Sequence, residues 1–512
     1  MLGFITRRIS ILIVILLGSS FLIYNLEALA ADPLEALRTS SAKNKAALIA
    51  QVTRQLDLNT PPPLRYFKWL KGLGGALFGQ MDLGMTRDGQ HVANAISGAI
   101  PITIRLVLGA TILAIILGIT IGIITALRQY SRFDYAMTFV SFLFFSLPIF
   151  WVAVLLKQYL AIGFNDFLYE PTITPPWLIG LGLISGLFWA SVISGDRKRV
   201  WIIFGATGVG SALLLYILGA INWFNKPALG PVMILLIGVG AAVAITHLSV
   251  GISNRRALYA SLSVALLGFV IYFPIQLVLN PNFNLGLLVG LAVVTLVVSG
   301  LIGYFASKID RGQMVRTTAL TGFVVGFFIV VDKLMRTFYS YSSTDAVNLR
   351  PIPTVSETNS LLVTDDYWFL TLDGVLHLFL PTVALMIISF AGYVRFSRGS
   401  LLEVLNQDYI RTARAKGLSE RTVIMRHAFR NALIPLTTIM AADFAGVIGG
   451  AIITEQVFGW VGMGSLFRAA ISGQDLNLLM GVFFVTASLA LLANLVADLL
   501  YSALDPRIRV GQ

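Results

Sequence analysis

Ionisable side chains are sparse in this chain, so the few that stand out are the places to look for chemistry. The four histidines, His91, His247, His377 and His427, are too scattered to suggest a metal site, and none is assigned. Cysteine is absent, which excludes disulfides, thiolate ligands and thiol catalysis together. No Gly-x-x-x-x-Gly-Lys-Ser/Thr run occurs, so the chain has no phosphate-cradling loop of that type. No residue is assigned a catalytic role. One carboxylate is conspicuous. Asp443 lies inside the apolar run between Pro435 and Thr454, where a charge costs several kcal/mol unless it meets water or a partner. Three placements satisfy it: facing a translocation pathway, pairing inside a helix bundle, or lying near enough to the interface to be hydrated. Gly446, Gly449 and Gly450 beside it would let a neighbouring helix approach closely.

The other informative stretch is Asp408–Pro435, which reads DYIRTARAKGLSERTVIMRHAFRNALIP. Residues 406–416 predict one short helix, and Gly417 stops it. Ser419 is placed to cap a second short helix. The surface of the pair is basic, with Arg411, Arg414, Lys416, Arg421, Arg426 and Arg430, while Ala413 and Ala415 are small enough to permit close approach. An orientation-setting basic loop would account for the charge. It would not account for a glycine-centred helix–turn–helix of this length, which reads as a docking surface for a partner.

The rest of the chain is built to hold such a protrusion at a membrane. Of 512 residues, 57% are apolar and 12% charged, a balance no soluble fold of this size can bury. About twelve runs are long enough to cross the bilayer as helix. They lie near 9–30, 99–126, 135–160, 177–194, 200–221, 229–250, 257–279, 284–306, 317–332, 375–394, 431–453 and 478–501. The predicted class is an all-α integral membrane protein. The net charge of +12 belongs to orientation rather than to nucleic acid. Arg7 and Arg8 put the N-terminus in the cytoplasm. Alternation then places Arg128, Arg132, Arg197–Arg199, Arg255, Arg256, Lys308, Arg311, Arg316 and the stretch 395–430 on the same side, and both termini inside. The first run also resembles a secretory signal ending in Ala28-Leu29-Ala30. Its length favours a retained helix.

Two outer loops are long. Residues 31–98 include an amphipathic segment, 64–78, either anchored in the interface by Tyr66, Phe67 and Trp69 or packed as a lid over helix ends. Residues 333–374 carry Asp345, Glu357, Asp365, Asp366 and Asp373 and predict an acidic outer face.

The segment around Gly417 resembles the cytoplasmic coupling segment, the EAA loop, of binding-protein-dependent ABC importer permeases of the dipeptide/oligopeptide/nickel branch. The resemblance rests on Asp408–Gly417 and Arg426–Pro435. It extends to Asp82-Leu-Gly84, Ser146-Leu-Pro-Ile-Phe-Trp151, Leu380-Pro381, Glu455-Gln-Val-Phe458, Gly462-Met-Gly464, Asn494-Leu-Val-Ala-Asp498 and Tyr501–Arg507. Arg411-Thr412-Ala413 stands where the general pattern has Glu-Ala-Ala, as is usual for the peptide branch. Six of the twelve helices would form a type I importer core, in two parts, 1–176 and 375–512, with coupling segment 406–430. Residues 177–332 are then inserted helices, either a lipid-facing addition or a docking site for another membrane protein, and 333–374 is an outer loop.

The resemblance implies a permease subunit of an ATP-driven importer in the bacterial inner membrane, forming half of a pathway for short peptides or peptide-like solutes. It assigns ATPase coupling to Arg411, Ala413, Arg414, Lys416, Gly417, Arg421 and Arg426. The implied partners are a second homologous permease, two cytoplasmic ATPase subunits, an external solute-binding protein and membrane lipid, with no nucleic acid. The chain itself holds no cofactor and is not an enzyme; ATP and Mg2+ belong to the partner subunits. A nickel or other small-solute permease is the alternative within the family. A stand-alone secondary transporter is the alternative outside it, and would show two similar halves, which this sequence lacks.

Overall fold

The computed structural model describes residues 2–504 apart from Ala31, Ala42, Gln80, Ser194, Lys308 and Ile309. Inside helices, side chains at some positions, Gly446, Gly449 and Gly450 among them, also lie outside the described set. So do the sequence features at Lys308, Asp505 and Arg507. The described residues are helical throughout, apart from loops and one isolated bridge between Met85 and His91.

The chain opens with α1 (Leu2–Ala30). Three short helices follow: α2 (Glu35–Thr39), α3 (Lys45–Gln55) and α4 (Pro62–Gly74). Next come α5 (Val92–Leu127), α6 (Arg132–Ser146), α7 (Ile149–Leu156) and α8 (Gly163–Tyr169), the last two joined by a wide turn at Lys157–Ile162. The middle of the chain forms α9 (Pro175–Val192), α10 (Arg197–Ala220), α11 (Gly230–Ser249), α12 (Arg255–Val270), α13 (Tyr272–Val278), α14 (Leu285–Ala306) and α15 (Arg311–Ser342). The last part holds α16 (Tyr367–Leu405), α17 (Asp408–Ala415), α18 (Glu420–Thr422), α19 (Phe429–Phe458), α20 (Met463–Ser472) and α21 (Leu476–Leu504). Among the described residues, nine helices are long and apolar enough to cross a membrane, or up to eleven if two bent pairs each count as one span. The run expected at 431–453 is the 30-residue α19, several of whose side chains lie outside the described residues.

Three runs differ from the straight spans the sequence suggests. The span expected at 135–160 is bent by 103° between α6 and α7. Pro148 cannot donate to the preceding turn, and Leu147 before it is forced extended (φ −83°, ψ 129°), so Ser146-Leu-Pro148 is a hinge in sequence and in space. The pair α12–α13 bends by 54°. The short run at 317–332 is the core of a helix of 32 residues, so the outer loop after it is non-helical only from Ser343 to Asp366.

Small residues set the packing. On α5, a Cβ at Gly118 or Gly122 would collide with Tyr393 or Ser397 of α16, so these two long helices lie backbone to backbone. Helices α1, α4, α5, α20 and α21 share a cluster around Tyr24, Tyr66, Trp69, Ile96 and Met480. Tyr66 and Trp69 are buried there, with Tyr66 stacked on Trp69, so the amphipathic segment is a packed lid. Only Phe67 of the three suggested anchors is exposed. Helices α11, α12, α14 and α15 pack on one another and meet the rest through α16; α9 and α10 form a hairpin against α6.

The loop 333–374, expected to form an acidic outer face, is less acidic than its composition suggests. Asp366 caps α16 by accepting from the amides of Trp368 and Phe369. Asp373 is buried, accepting from Tyr341 Oη at 2.7 Å and from the Asn359 amide at 3.0 Å. Two of the five carboxylates are therefore spent inside the fold.

Candidate functional site

The segment between α16 and α19 is tied to helix ends from below. Ile410 and Ala413 of α17 are buried with Leu401, Val423, Ala428, Ala432 and Ala126. Burial of Ile410 and Ala413, three residues apart on one helical face, leaves Arg411 and Arg414 on the exposed side. Ala413 is thus small because α17 lies close on its own chain, and it offers no outward docking surface. Tyr409 and Ser400 add hydrogen bonds to the same support, with Asn431 Nδ2 donating to Tyr409 Oη (2.9 Å) and Ser400 Oγ to the Ala432 carbonyl (2.9 Å).

Gly417 ends α17 at φ +76°, in the left-handed region. Its amide donates to the Arg414 carbonyl at 2.9 Å and the Leu418 amide to the Ala413 carbonyl at 3.4 Å, closing the helix with a glycine stop. An added Cβ at Gly417 would meet nothing, so a side chain there is opposed by the backbone angle alone, about 1 kcal/mol or more. Ser419 then accepts from the Thr422 amide at 3.4 Å and caps α18.

The second arm is not the separate short helix that the sequence suggests. After α18 the chain makes one wide turn, Val423–Ala428, and continues into α19 without a break. The arm beyond Gly417 is therefore the end of a long apolar helix. Displacement of the turn is carried directly into α19.

Arg414 also differs from its reading as a free cation. Its guanidinium spans the turn and donates to both oxygens of Glu420, at 2.7 and 3.1 Å. That fork holds the Glu420 carboxyl below the usual glutamate range. Arg411 keeps only a long contact, 3.5 Å, to Asp408. Arg411, Lys416, Arg421 and Arg426 are exposed and stand around Gly417 with two exposed apolar side chains, Leu418 and Met425. These two escaped the sequence reading, because an apolar residue on an amphipathic helix is first assigned to its buried face.

Above this segment, Asp134 at the start of α6 is buried and held by Arg398 of α16 through two hydrogen bonds, 2.8 and 2.9 Å. Asp443 lies beside the hydroxyl of the buried Tyr393 on α16. It therefore has a polar neighbour within the chain.

A further polar centre sits at the opposite end of α19. Glu455 is fully buried. It accepts from Thr103 Oγ1 (2.6 Å) and from the Ser465 amide (2.9 Å), while the Met463 amide donates to Thr103 (2.8 Å). The carboxylate thus caps α20 and joins it to α5. A Cβ at Gly462 would strike both Glu455 and Thr103, and one at Gly464 the backbone of Ile452. Glu455-Gln-Val-Phe458 and Gly462-Met-Gly464 are two halves of one contact.

Residues 321–510 match the family described as binding-protein-dependent transport system inner membrane component. The chain is 45% identical over 139 residues to the oligopeptide transport system permease protein OppB of Mycobacterium tuberculosis (strain CDC 1551 / Oshkosh), a match covering 27% of this chain and 43% of that protein. It is 44% identical over 136 residues to AppB of Bacillus subtilis (strain 168), also an oligopeptide transport system permease protein, over 27% and 43%. To the dipeptide transport system permease protein DppB of Escherichia coli (strain K12) it is 44% identical over 138 residues, or 27% and 41%. The matched part spans less than half the length of these relatives. The chain is a multi-span membrane protein whose residues 321–510 match the inner membrane component family of binding-protein-dependent transport systems, and it is similar over about a quarter of its length to peptide permeases.

Proposed function

We propose that this chain is a permease subunit of an ATP-driven importer for short peptides, with no enzymatic activity of its own. The observation that carries the reading is the continuity from the exposed turn at Gly417 through Val423–Ala428 into α19. A partner that moves the turn moves a long apolar helix. Arg411, Lys416, Arg421 and Arg426, with Leu418 and Met425, dock into a groove of a cytoplasmic ATPase; Arg414 acts by holding the turn, and Ala413 by seating α17. ATP and Mg2+ bind on that ATPase, of which two copies serve a pair of permeases. The second permease supplies the other half of the pathway, which Asp443 faces, and an external binding protein delivers the solute.

The core consists of residues 1–176 and 375–512, and 177–332 is an insertion. Support for that division lies in the packing: α9–α10 and α11–α15 each reach the remaining helices through a small set of contacts at α6 and α16. The membrane is a bacterial cytoplasmic membrane, both termini and the Gly417 turn lie inside, and the lid α2–α4 lies outside. Peptide is preferred over nickel because the relatives quoted are named for oligopeptides and dipeptides.

The test is ATP-dependent uptake of a labelled short peptide by liposomes holding the chain, its partner permease, the ATPases and the binding protein. Peptide uptake that requires ATP supports the reading. Uptake of a metal chelate alone, or uptake that ignores ATP, contradicts it.

A further inference from the structure

A cavity of ≈ 420 Å³ lies at the end of the bundle remote from Gly417. The end of α1, the lid helices and the start of α21 enclose it. Its lining mixes apolar side chains with polar groups of both signs, Glu27, Asp32, Arg38, Arg65, Gln474 and Asn477. The family resemblance does not use it, and the coupling site lies at the other end.

Arg65 is what makes this cavity more than a gap under the lid. It is 9% exposed, and its Nε is buried with no hydrogen-bond partner among the described residues. The nearby carboxylates do not neutralise it. Asp32 pairs with Arg38 at 3.1 Å, and Asp57 pairs with Lys68 at 2.6 Å. Glu27 lines the same cavity, and no ion pair joins it to Arg65 among the described residues. The guanidinium instead rests against the Tyr24 ring, 5.9 Å from its centroid. A buried cation lining a cavity, with no ion pair among the described residues, is an unfilled position for an oxyanion. The Glu27 carboxylate, for which no ion pair is found among the described residues, favours a positive group alongside it. A chloride or phosphate ion would satisfy only half of this lining.

We propose that the cavity binds a small zwitterion, its oxyanion on Arg65 and its ammonium against Glu27. Two sources present that chemistry at this position: the ends of a free amino acid or very short peptide, and the headgroup of an ethanolamine phospholipid. The cavity volume lies within the range of small-molecule sites. The proposal does not rest on the importer reading.

The experiment is thermal unfolding of the purified full chain in phospholipid-free detergent, with four probes: dialanine, N-acetyl-dialanine amide, glycerophosphoethanolamine and inorganic phosphate. The expected result is a saturable rise of several degrees with dialanine or glycerophosphoethanolamine, and none with the N-acetyl amide. Dialanine alone identifies the solute source, and glycerophosphoethanolamine alone the lipid source. Arg65→Met should abolish the rise. Without any probe it should unfold no earlier than the parent, because a buried unpaired charge has been removed; an earlier unfolding would mark Arg65 as a structural stacking partner of Tyr24 and overturn the proposal. Should Arg65→Met fail to accumulate, Glu27→Gln decides. It keeps Arg65, and affinity for the ammonium-bearing probe should fall at least tenfold while phosphate is unaffected. No response to any probe, an equal response of Arg65→Met, or an equal response to phosphate alone would overturn the assignment.

Discussion

Arg414 and Glu420 grip each other across Gly417, with both carboxylate oxygens engaged at 2.7 and 3.1 Å. The pair is exposed, so its direct worth is small, about 0.2–1 kcal/mol. Its importance is geometric, since it fixes the angle between α17 and the arm that becomes α19. Arg414→Glu and Glu420→Arg are each expected to speed hydrogen exchange at the amides of Gly417 and Leu418. The double exchange should restore protection. A double variant no better than either single one would show that the pair does not set the turn.

The same pair carries a pH dependence with a definite sign. Arg414 holds the Glu420 carboxyl below its ordinary value of 4.5, chiefly through the side-chain hydrogen bond. A depressed carboxylate contributes stability that is complete above its unfolded-state pKa and lost as pH falls through the folded one. Protection of the Gly417 turn is therefore expected to be flat around neutral pH and to fall only below the ordinary glutamate range. Loss of protection on raising the pH instead would contradict the assignment.

Asp134 and Arg398 form a second ion pair, and this one is largely buried on the Asp134 side. Removing one partner strands the other. Arg398→Ala should cost about 3 kcal/mol or more, read as a lower unfolding temperature of the purified chain. Arg398→Lys keeps the charge and loses the fork, so a smaller loss is expected. Equal behaviour of both variants would mean that Asp134 is satisfied by the Tyr130 amide and Thr138 alone.

The contact of Glu455 with Gly462 makes a prediction that charge alone would not. Thr103→Ala removes one donor from a buried carboxylate, at about 1–3 kcal/mol. Gly462→Ala forces a methyl into Glu455 and Thr103 and should destabilise at least as much, at an N-cap position where alanine is also the poorer residue. Combining the two should give less than the sum of the separate losses, because both disturb one contact. Simple additivity in thermal unfolding would separate them.

What was legible in the sequence follows from how local each signal is. Apolar runs mark the long helices because bilayer thickness sets a length that composition alone can meet. The Gly417 stop and the Ser419 cap are likewise local, and both are where the residue types put them. The bend at Pro148 is written in Leu147-Pro148, yet an apolar run of ordinary length hides it. The burial of Ala413, the fork between Arg414 and Glu420, and the merging of the second arm into α19 depend on what lies beneath the segment. No residue within α17 announces Ala126 or Ala432. Glu455 was visible only as part of a stretch shared with relatives, because its partners Thr103 and Ser465 lie on other helices.

The central claim is that the Gly417 turn couples a cytoplasmic ATPase to α19, and one substitution tests it most directly. In Gly417→Val the Cβ finds open space, but the residue must adopt φ near +76°, which a β-branched residue resists. The packing of the long helices is untouched, so insertion and thermal unfolding of the chain are expected to hold. In the assembled complex, retention of the ATPase subunits and solute-stimulated ATP hydrolysis should both fall severalfold. Full retention and full stimulation in a properly inserted Gly417→Val complex would contradict the account.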